Sequence, residues 1–418
     1  PKMMIRGLII DRELGNVLKV NRFGFVKKGF HGTTPIAYED LRRRYSRVIV
    51  DISEPRFRFM NTLFSLSEAS IYAQLVDKMD AGELDQTIGY EELYRRVRQT
   101  VDYAHLEGKL KGDIVSDPDR FVTPDPETPL ALLDQHYAGK KLVLITNSEW
   151  GYSSAMMAYA FEPHLPNGMK WRELFDVVIV EARKPTFFTQ ANPAFRITGS
   201  DGGLEPVRRG MREGQCYLGG NAGMVESCLG LSGDELLYVG DHIYSDVHVS
   251  KDVQRWRTAL VLREIEHEID ALQAFEDSKY ELERMMAHKT RLESESCGLK
   301  LGLQRAKFGY GPTVQRPDEA RLEEVRREVL ALDERIAPLA KAADQIANES
   351  WGALMRAGNE KSHLAHQVEQ YADIYMSRVS NFVHHSPFAY LRGARGSLPH
   401  DLDPVPDERL EEPVSTEL

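Results

Sequence analysis

Several short apolar runs stop abruptly at polar or acidic residues, and this constrains the fold more than any other feature. The runs are RGLIID, RVIVDI, KLVLITNS, FDVVIVEA, ELLYVGD and RTALVL. Some are nearly continuous in apolar residues rather than alternating, which is how strands buried on both faces of a parallel sheet read. Helical stretches separate the later runs, so the sequence predicts an α/β doubly wound core. In open α/β sheets, ligands bind beyond the carboxyl ends of the strands. The polar residues that close the runs are therefore the first candidates for chemistry.

A chain of 418 residues exceeds one ordinary core and predicts two or three structural units. Residues 53–139 are mostly helical, with EASIYAQLVDKMD and YEELYRRVRQTVDYAHLEG as the clearest pieces, and they interrupt the strand-bearing segments as an insert would. Beyond Leu262, REIEHEIDALQAFEDSKYELERMMAHKTRLESE reads as one long charged helix. Leu322, Val325, Val329, Leu332, Ile336 and Leu339 recur at spacings of three and four, a stripe too short for a long coiled coil. A helical hairpin packed on its own domain is expected. The division is 1–52 and 140–275 for the two parts of the core, 53–139 for the insert, 276–395 for a helical extension packed on the core, and 396–418 for an acidic, disordered tail.

Composition narrows the function. No window approaches 18 uninterrupted apolar residues, so no membrane helix is expected. The net charge of −11 argues against a nucleic-acid polymer as partner, yet leaves room for a basic pocket around one phosphate. Cys216, Cys228 and Cys297 lack metal-ligand spacing, which fits reduced thiols in a cytoplasm.

Three strand ends then stand out. KLVLITNS closes on Thr146, Asn147 and Ser148, where hydroxyls and backbone amides can cradle phosphate, although Asn and Ser also simply cap helices. FDVVIVEARKP closes on Arg183, Lys184 and Pro185; a lysine there can neutralise phosphate or an aspartyl nucleophile, although most lysines are solvated. LLYVGDHIYSD places Asp241 and Asp246 five residues apart, although Gly-Asp turns need no chemistry. A doubly wound sheet would gather all of these at one rim.

In that order, LITNS, EARKP and YVGDHIYSD resemble motifs II, III and IV of the haloacid dehalogenase superfamily of phosphatases. More narrowly, GLIIDRELGNVLKVNRFGFVKKGFHGT, FMNTLFSL, VDYAHLEGKLKG, FDVVIVEARKPTFF, QRWRTALV, QVEQYADIYMSRVSNF and SPFAYLRGA resemble the cytosolic purine 5′-nucleotidases that prefer inosine and guanosine monophosphates, over about residues 7–395. The resemblance implies a haloacid-dehalogenase-like core with a parallel sheet, the helical insert as a cap, and a cytoplasmic homo-oligomer, dimer or tetramer. It implies Mg²⁺-dependent hydrolysis of a purine nucleoside monophosphate through an aspartyl-phosphate, with phosphate transfer to another nucleoside as an extension. By the same resemblance Asp241 is a Mg²⁺ ligand, Asp246 a metal-site or lysine-orienting acid, Lys184 the phosphoaspartate-stabilising lysine, and Thr146, Asn147 and Ser148 the phosphoryl cradle.

One motif is missing. The family's Asp-x-Asp-x-Thr/Val, which carries the nucleophile and the acid-base group, precedes the GLIID-like segment, and only six residues precede Gly7. Asp401-Leu402-Asp403 fits the bare pattern but follows no apolar strand, and Asp11 lacks the second aspartate. The expectation is that the sequence begins after that first strand. The rivals are a non-catalytic nucleotide-binding or assembly subunit and a phosphatase for another phosphomonoester.

Arg98 and Asp102 are four apart and share a helix face. As a donor–acceptor pair they complement the O6 acceptor and N1 donor of hypoxanthine and guanine, whereas adenine reverses both groups. A surface ion pair is the plainer reading, and the resemblance favours the nucleoside pocket. The resemblance also implies Phe64 as the aromatic platform for the purine and Lys111 as a lysine near the phosphate. His105, three residues after Asp102, is a candidate for bonding ribose or base. His363 with His366, and His384 with His385, lack a third metal ligand, so packing roles are expected. Gly219-Gly220-Asn221 reads as a plain turn.

Overall fold

The computed structural model describes residues 3–84, 87–106, 108–199, 202–312, 319–389 and 391. The chain opens as a meander of β1 (Ile9–Asp11), β2 (Asn16–Val20), β3 (Val26–His31) and β4 (Thr34–Pro35), followed by α1 (Tyr38–Tyr45). Strand β5 (Phe57–Phe59) returns to the outer edge of β1, giving the order β4-β3-β2-β1-β5 with every pair antiparallel. Side chains alternate between two cores. Ile9, Leu18, Phe57 and Phe59 face one that includes Ile243, Leu260 and Leu364. Ile10 and Val17 face another, built on α2 (Phe64–Asp80) and α3 (Tyr90–Leu106).

This corrects two expectations. RGLIID is not part of a parallel sheet; its continuous apolar run arises because both faces of an antiparallel strand are covered. Burial on two faces, not strand direction, produces that pattern. RVIVDI forms no strand: the Val48 N–H donates to the carbonyl of Tyr45 at the end of α1 and the Val50 N–H to that of Gly24, and Ile49 is 62% exposed. β-Branched residues favour a pleated surface only where a neighbouring strand supplies one.

The chain continues through α4 (Lys109–Ser116), α5 (Pro118–Phe121) and α6 (Glu127–Tyr137). The second sheet contains β6 (Val143–Ile145), β7 (Val177–Val180), β8 (Ala194–Thr198), β9 (Gly203–Pro206) and β10 (Gln215–Gly219), with α7 (Trp150–Phe161), α8 (Thr186–Thr189) and α9 (Ala222–Leu229) between or after them. Its order is β6-β7-β10-β8-β9; the first three are parallel and the β8–β9 hairpin is antiparallel. Asn221 caps α9 by accepting the Met224 N–H, and Gly219-Gly220-Asn221 is the short link from the end of β10 to that helix.

β11 (Leu237–Gly240) leads through a π-helical turn, Ile243–His248, and α10 (Val249–Gln254) to β12 (Arg257–Val261). The charged segment that follows is two helices, α11 (Ile265–Ala274) and α12 (Glu276–Phe308), separated at Phe275. Helix α12 pairs with α13 (Glu319–Asp344) over Met285, Leu292, Val325, Leu332 and Ile336, so the expected hairpin forms. The hairpin β13 (Arg356–Ala357) and β14 (Glu360–Lys361), α14 (His363–Tyr371) and β15 (Ile374–Met376) follow. Strands β11, β12 and β15 form a parallel sheet. The molecule is thus a mixed α/β fold with parallel and mixed sheets. The 396–418 tail and the Asp401-Leu402-Asp403 segment lie outside the described residues. Among the described residues, no helix is long and apolar enough to cross a membrane.

Asp11 is fully buried inside the first sheet, where Arg56 donates from Nε (2.9 Å) and Nη2 (2.7 Å) and Tyr45 donates its hydroxyl (2.8 Å). Its environment is that of a structural ion pair. His363 is buried edge-on to the Phe59 ring, and its Nε2 finds no partner. Burial, aided by nearby His366, lowers its pKa from 6.5 to about 4. Protonation therefore favours the unfolded chain between those values. The stability that neutral His363 contributes is complete above pH 6.5 and is lost as pH falls towards 4. In chemical denaturation, His363→Phe should flatten this limb by up to about 3 kcal/mol. Identical acid limbs in both proteins would show that the ring is not buried neutral.

Candidate active site

β6, β7 and β11 end at the same place, and their loops interlock. After β7, Glu181 (φ 47°) and Arg183 (φ 59°) take left-handed backbone conformations that are costly for non-glycine residues. The loop is held by the β6 exit: Glu181 N–H donates to Ser148 O, and Ala182 N–H to Thr146 O, both at 2.9 Å. Asn147 clamps Lys184 from both sides, its Oδ1 accepting the Lys184 N–H (2.7 Å) and its Nδ2 donating to the Lys184 carbonyl (3.2 Å). Both ends of that amide are engaged, so Asn147 braces the lysine loop. Thr146 Oγ1 accepts the Ser148 N–H at 3.1 Å, which fixes the turn between them.

The Lys184 side chain runs inward. Its Nζ lies 2.9 Å from Asp246 Oδ1, 3.1 Å from Tyr238 Oη and 3.3 Å from the Ile145 carbonyl. The pair is buried, with 14% and 3% of the two side chains exposed. Asp246 also accepts the His242 backbone N–H at 3.2 Å. Gly240 makes this approach possible, because a Cβ there would stand 2.6 Å from the Asp246 side chain. Hence β11 must end in glycine before its acids.

Asp241 points outward, with 56% of its side chain exposed. Its backbone carbonyl is held by the buried Arg6 (2.9 Å), which Glu264 neutralises through two bonds of 2.7 and 2.6 Å. Partial desolvation works against ionisation of Asp241. The His242 ring, 3.0 Å away, and the Arg6 charge outweigh it and hold the carboxyl below the ordinary aspartate value. Asp241 in turn raises the pKa of His242 against the opposing effect of burial.

Ligand atoms of Asp241, His242 and Asp246 lie within 4.8 Å of one another, the one such group among the described residues. The donor set suits a hard cation held mainly by the open Asp241 carboxylate, with waters and phosphate oxygens completing the shell, because Lys184 already neutralises Asp246.

Helices α2, α3 and α4 carry further candidates. On α3, Arg98 donates from Nε to Asp102 (2.9 Å) and from Nη1 to Glu68 of α2 (2.9 Å). Glu68 is fully buried and also accepts the Tyr94 hydroxyl. The predicted Arg98–Asp102 pair therefore forms, with a third member. Phe64 begins α2 and is 37% exposed. The side chain of His105 lies outside the described residues. Lys111 of α4 reaches Glu149, the residue after Ser148, at 2.5 Å, and lies over the Tyr152 ring.

The structure thus brings Thr146, Asn147, Ser148, Lys184, Asp246 and Asp241 to one rim, with Lys111 tied to the neighbouring residue. Phe64, Arg98 and Asp102 belong to the α2–α3 layer. Sequence reasoning missed Tyr238, His242, Glu68 and Glu149. Of these only His242, between the two aspartates, carried a local signal.

The 5′ nucleotidase family model matches residues 1–403. A 5′-nucleotidase domain-containing protein of Dictyostelium discoideum is 26% identical over 419 residues, covering 96% of this chain and 65% of that protein. The 5′-nucleotidase domain-containing protein 2 of Homo sapiens is 26% identical over 395 residues, covering 91% and 69%. The chain therefore spans about two thirds of the length of these relatives.

Proposed function

Because the chain belongs to the 5′-nucleotidase family, we propose that it hydrolyses purine nucleoside 5′-monophosphates, inosine and guanosine monophosphate above all, by a haloacid-dehalogenase-type phosphoryl transfer. The observation that carries this reading is the buried Lys184–Asp246 pair, braced by Asn147, beside the open Asp241 carboxylate. Phosphoryl transfer asks a site for positioning and charge neutralisation rather than elaborate covalent chemistry, and this rim offers both.

In this reading Lys184 donates to a phosphoryl oxygen and neutralises its charge. The hydroxyls of Thr146 and Ser148 donate to the remaining oxygens. Asp241 offers the outward carboxylate for Mg²⁺, and Lys111 exchanges Glu149 for the arriving phosphate. Bound Mg²⁺ supplies counter-charge to the phosphoryl oxygens. β6 and β11 are edges of their own sheets, and Lys184 Nζ reaches the carbonyl of the last β6 residue, Ile145, and the Tyr238 hydroxyl of β11. A nucleophilic aspartate attacks the phosphorus and displaces the nucleoside. The resulting aspartyl-phosphate is hydrolysed by water. Arg98 and Asp102 read O6 and N1 of the purine against Phe64. The working protein is a cytoplasmic homo-oligomer that also transfers phosphate to nucleosides.

The test is phosphate release by the full-length protein from inosine, guanosine and adenosine monophosphates, with Mg²⁺ or with chelator. Release from the first two that chelation removes is expected. Arg98→Ala and Asp102→Ala should each reduce the preference for inosine over adenosine monophosphate by roughly 10–100-fold. Equal turnover of all three nucleotides by the unaltered protein would reject the base-reading role, and no release from any would reject the activity.

A further inference from the structure

Tyr238 extends from β11 with its hydroxyl between the two members of the buried ion pair. Its oxygen is 3.1 Å from Lys184 Nζ and 3.4 Å from Asp246 Oδ1. The residue is 8% exposed. Its ring is held edge-on by Phe188, with centroids 5.2 Å apart, and lies 6.1 Å from Trp256, which Glu226 anchors through the indole N–H at 2.8 Å. A hydroxyl placed this deep is favourable only if its polar bonds are made. Here both are: the oxygen accepts from Lys184 and the proton goes to Asp246.

The donors of Lys184 sharpen the point. An ammonium has three N–H groups, and three acceptors surround this one: Asp246 at 2.9 Å, Tyr238 at 3.1 Å and the Ile145 carbonyl at 3.3 Å. No donor is left over for a phosphoryl oxygen, so one acceptor must be released when substrate arrives. The Ile145 carbonyl is uncharged and the most distant of the three, and it makes the weakest claim.

We propose that Tyr238 is a positioning residue: its hydroxyl, with Asp246, holds two of the Lys184 N–H groups in fixed directions, so that the third leaves Ile145 and points at the phosphoryl oxygen. The inference rests on the proposed phosphatase reading. It adds to that reading the group that aims the lysine and the carbonyl that yields. No bond is made or broken by Tyr238, and no proton leaves it.

Tyr238→Phe keeps the ring against Phe188 and Trp256 and removes only the hydroxyl. In the full-length protein it should lower kcat about tenfold while KM stays within about twofold, because a misaimed lysine is felt mostly in the transition state. A kcat within about twofold of the unaltered protein, or a raised KM at unchanged kcat, overturns the proposal. A second measurement needs no turnover. In urea unfolding, a double-mutant cycle between Tyr238→Phe and Lys184→Gln should show coupling of about fivefold in the unfolding equilibrium, and additive effects overturn the proposal. Should Lys184→Gln fail to fold, Asp246→Asn takes its place in the cycle with the same two outcomes. Absence of phosphate release by the unaltered protein rejects the phosphatase reading alone, because the cycle still reports whether the hydroxyl is coupled to its charged neighbours.

Discussion

Asp241→Asn should lower Mg²⁺-dependent phosphate release from inosine monophosphate by at least about a thousandfold, with little change in folding stability. Asparagine matches the shape of aspartate but removes the charge that attracts a divalent ion. The fold should tolerate it for a specific reason. Arg6 binds the Asp241 backbone carbonyl, not its carboxylate, so the bond that docks the N-terminal segment here is kept. The side chain is also more than half exposed, and its carboxylate bonds the adjacent His242 ring. Steady-state turnover across a Mg²⁺ titration, alongside a denaturation curve, checks both halves. Turnover that survives in the variant would remove Asp241 from the metal site.

Lys184→Met should destabilise the protein by roughly 3–5 kcal/mol and abolish turnover. The loss arises less from the vanished attraction than from the Asp246 carboxylate left behind, 3% exposed, with a phenol and a backbone N–H as donors and the His242 ring 3.9 Å away. A second substitution follows from the same argument. Adding Asp246→Asn to Lys184→Met should recover much of the stability, because the stranded charge is gone, while turnover stays absent. Urea midpoints of the two variants measure this. A single-variant loss below about 1 kcal/mol would mean that the pair is solvated in the working protein and contributes as surface pairs do.

Much of the site was legible in one dimension because its residues follow apolar runs. An apolar run that stops at Thr146-Asn147-Ser148, at Lys184 or at Asp241 marks the end of a strand, and here β6 and β7 of one sheet and β11 of another end side by side. The Arg98–Asp102 pair was readable for a similarly local reason, since residues four apart on a helix face each other. What could not be read were partners supplied from elsewhere. Glu68 joins Arg98 across 30 positions, and Tyr238 joins Lys184 across 54. Neither residue type announces such a role, and most buried tyrosines serve packing alone. Two expectations failed for a related reason. RGLIID and RVIVDI are both rich in branched apolar residues, but the first formed a strand with antiparallel neighbours on both edges and the second formed none.

By itself the sequence determined which apolar runs stop at polar chemistry, that most of residues 64–137 are helical, and which family the chain joins. These depend on local periodicity and on residue order, which a linear string preserves. Only the tertiary structure decided that Asn147 braces a backbone, that Lys184 has all its donors engaged, and that Gly240 is small so that Asp246 can come close. The Asn147–Lys184 and Lys184–Tyr238 contacts join segments far apart in the chain, and the Gly240–Asp246 approach depends on how the turn after β11 folds back; these are set by tertiary packing, which no local pattern encodes.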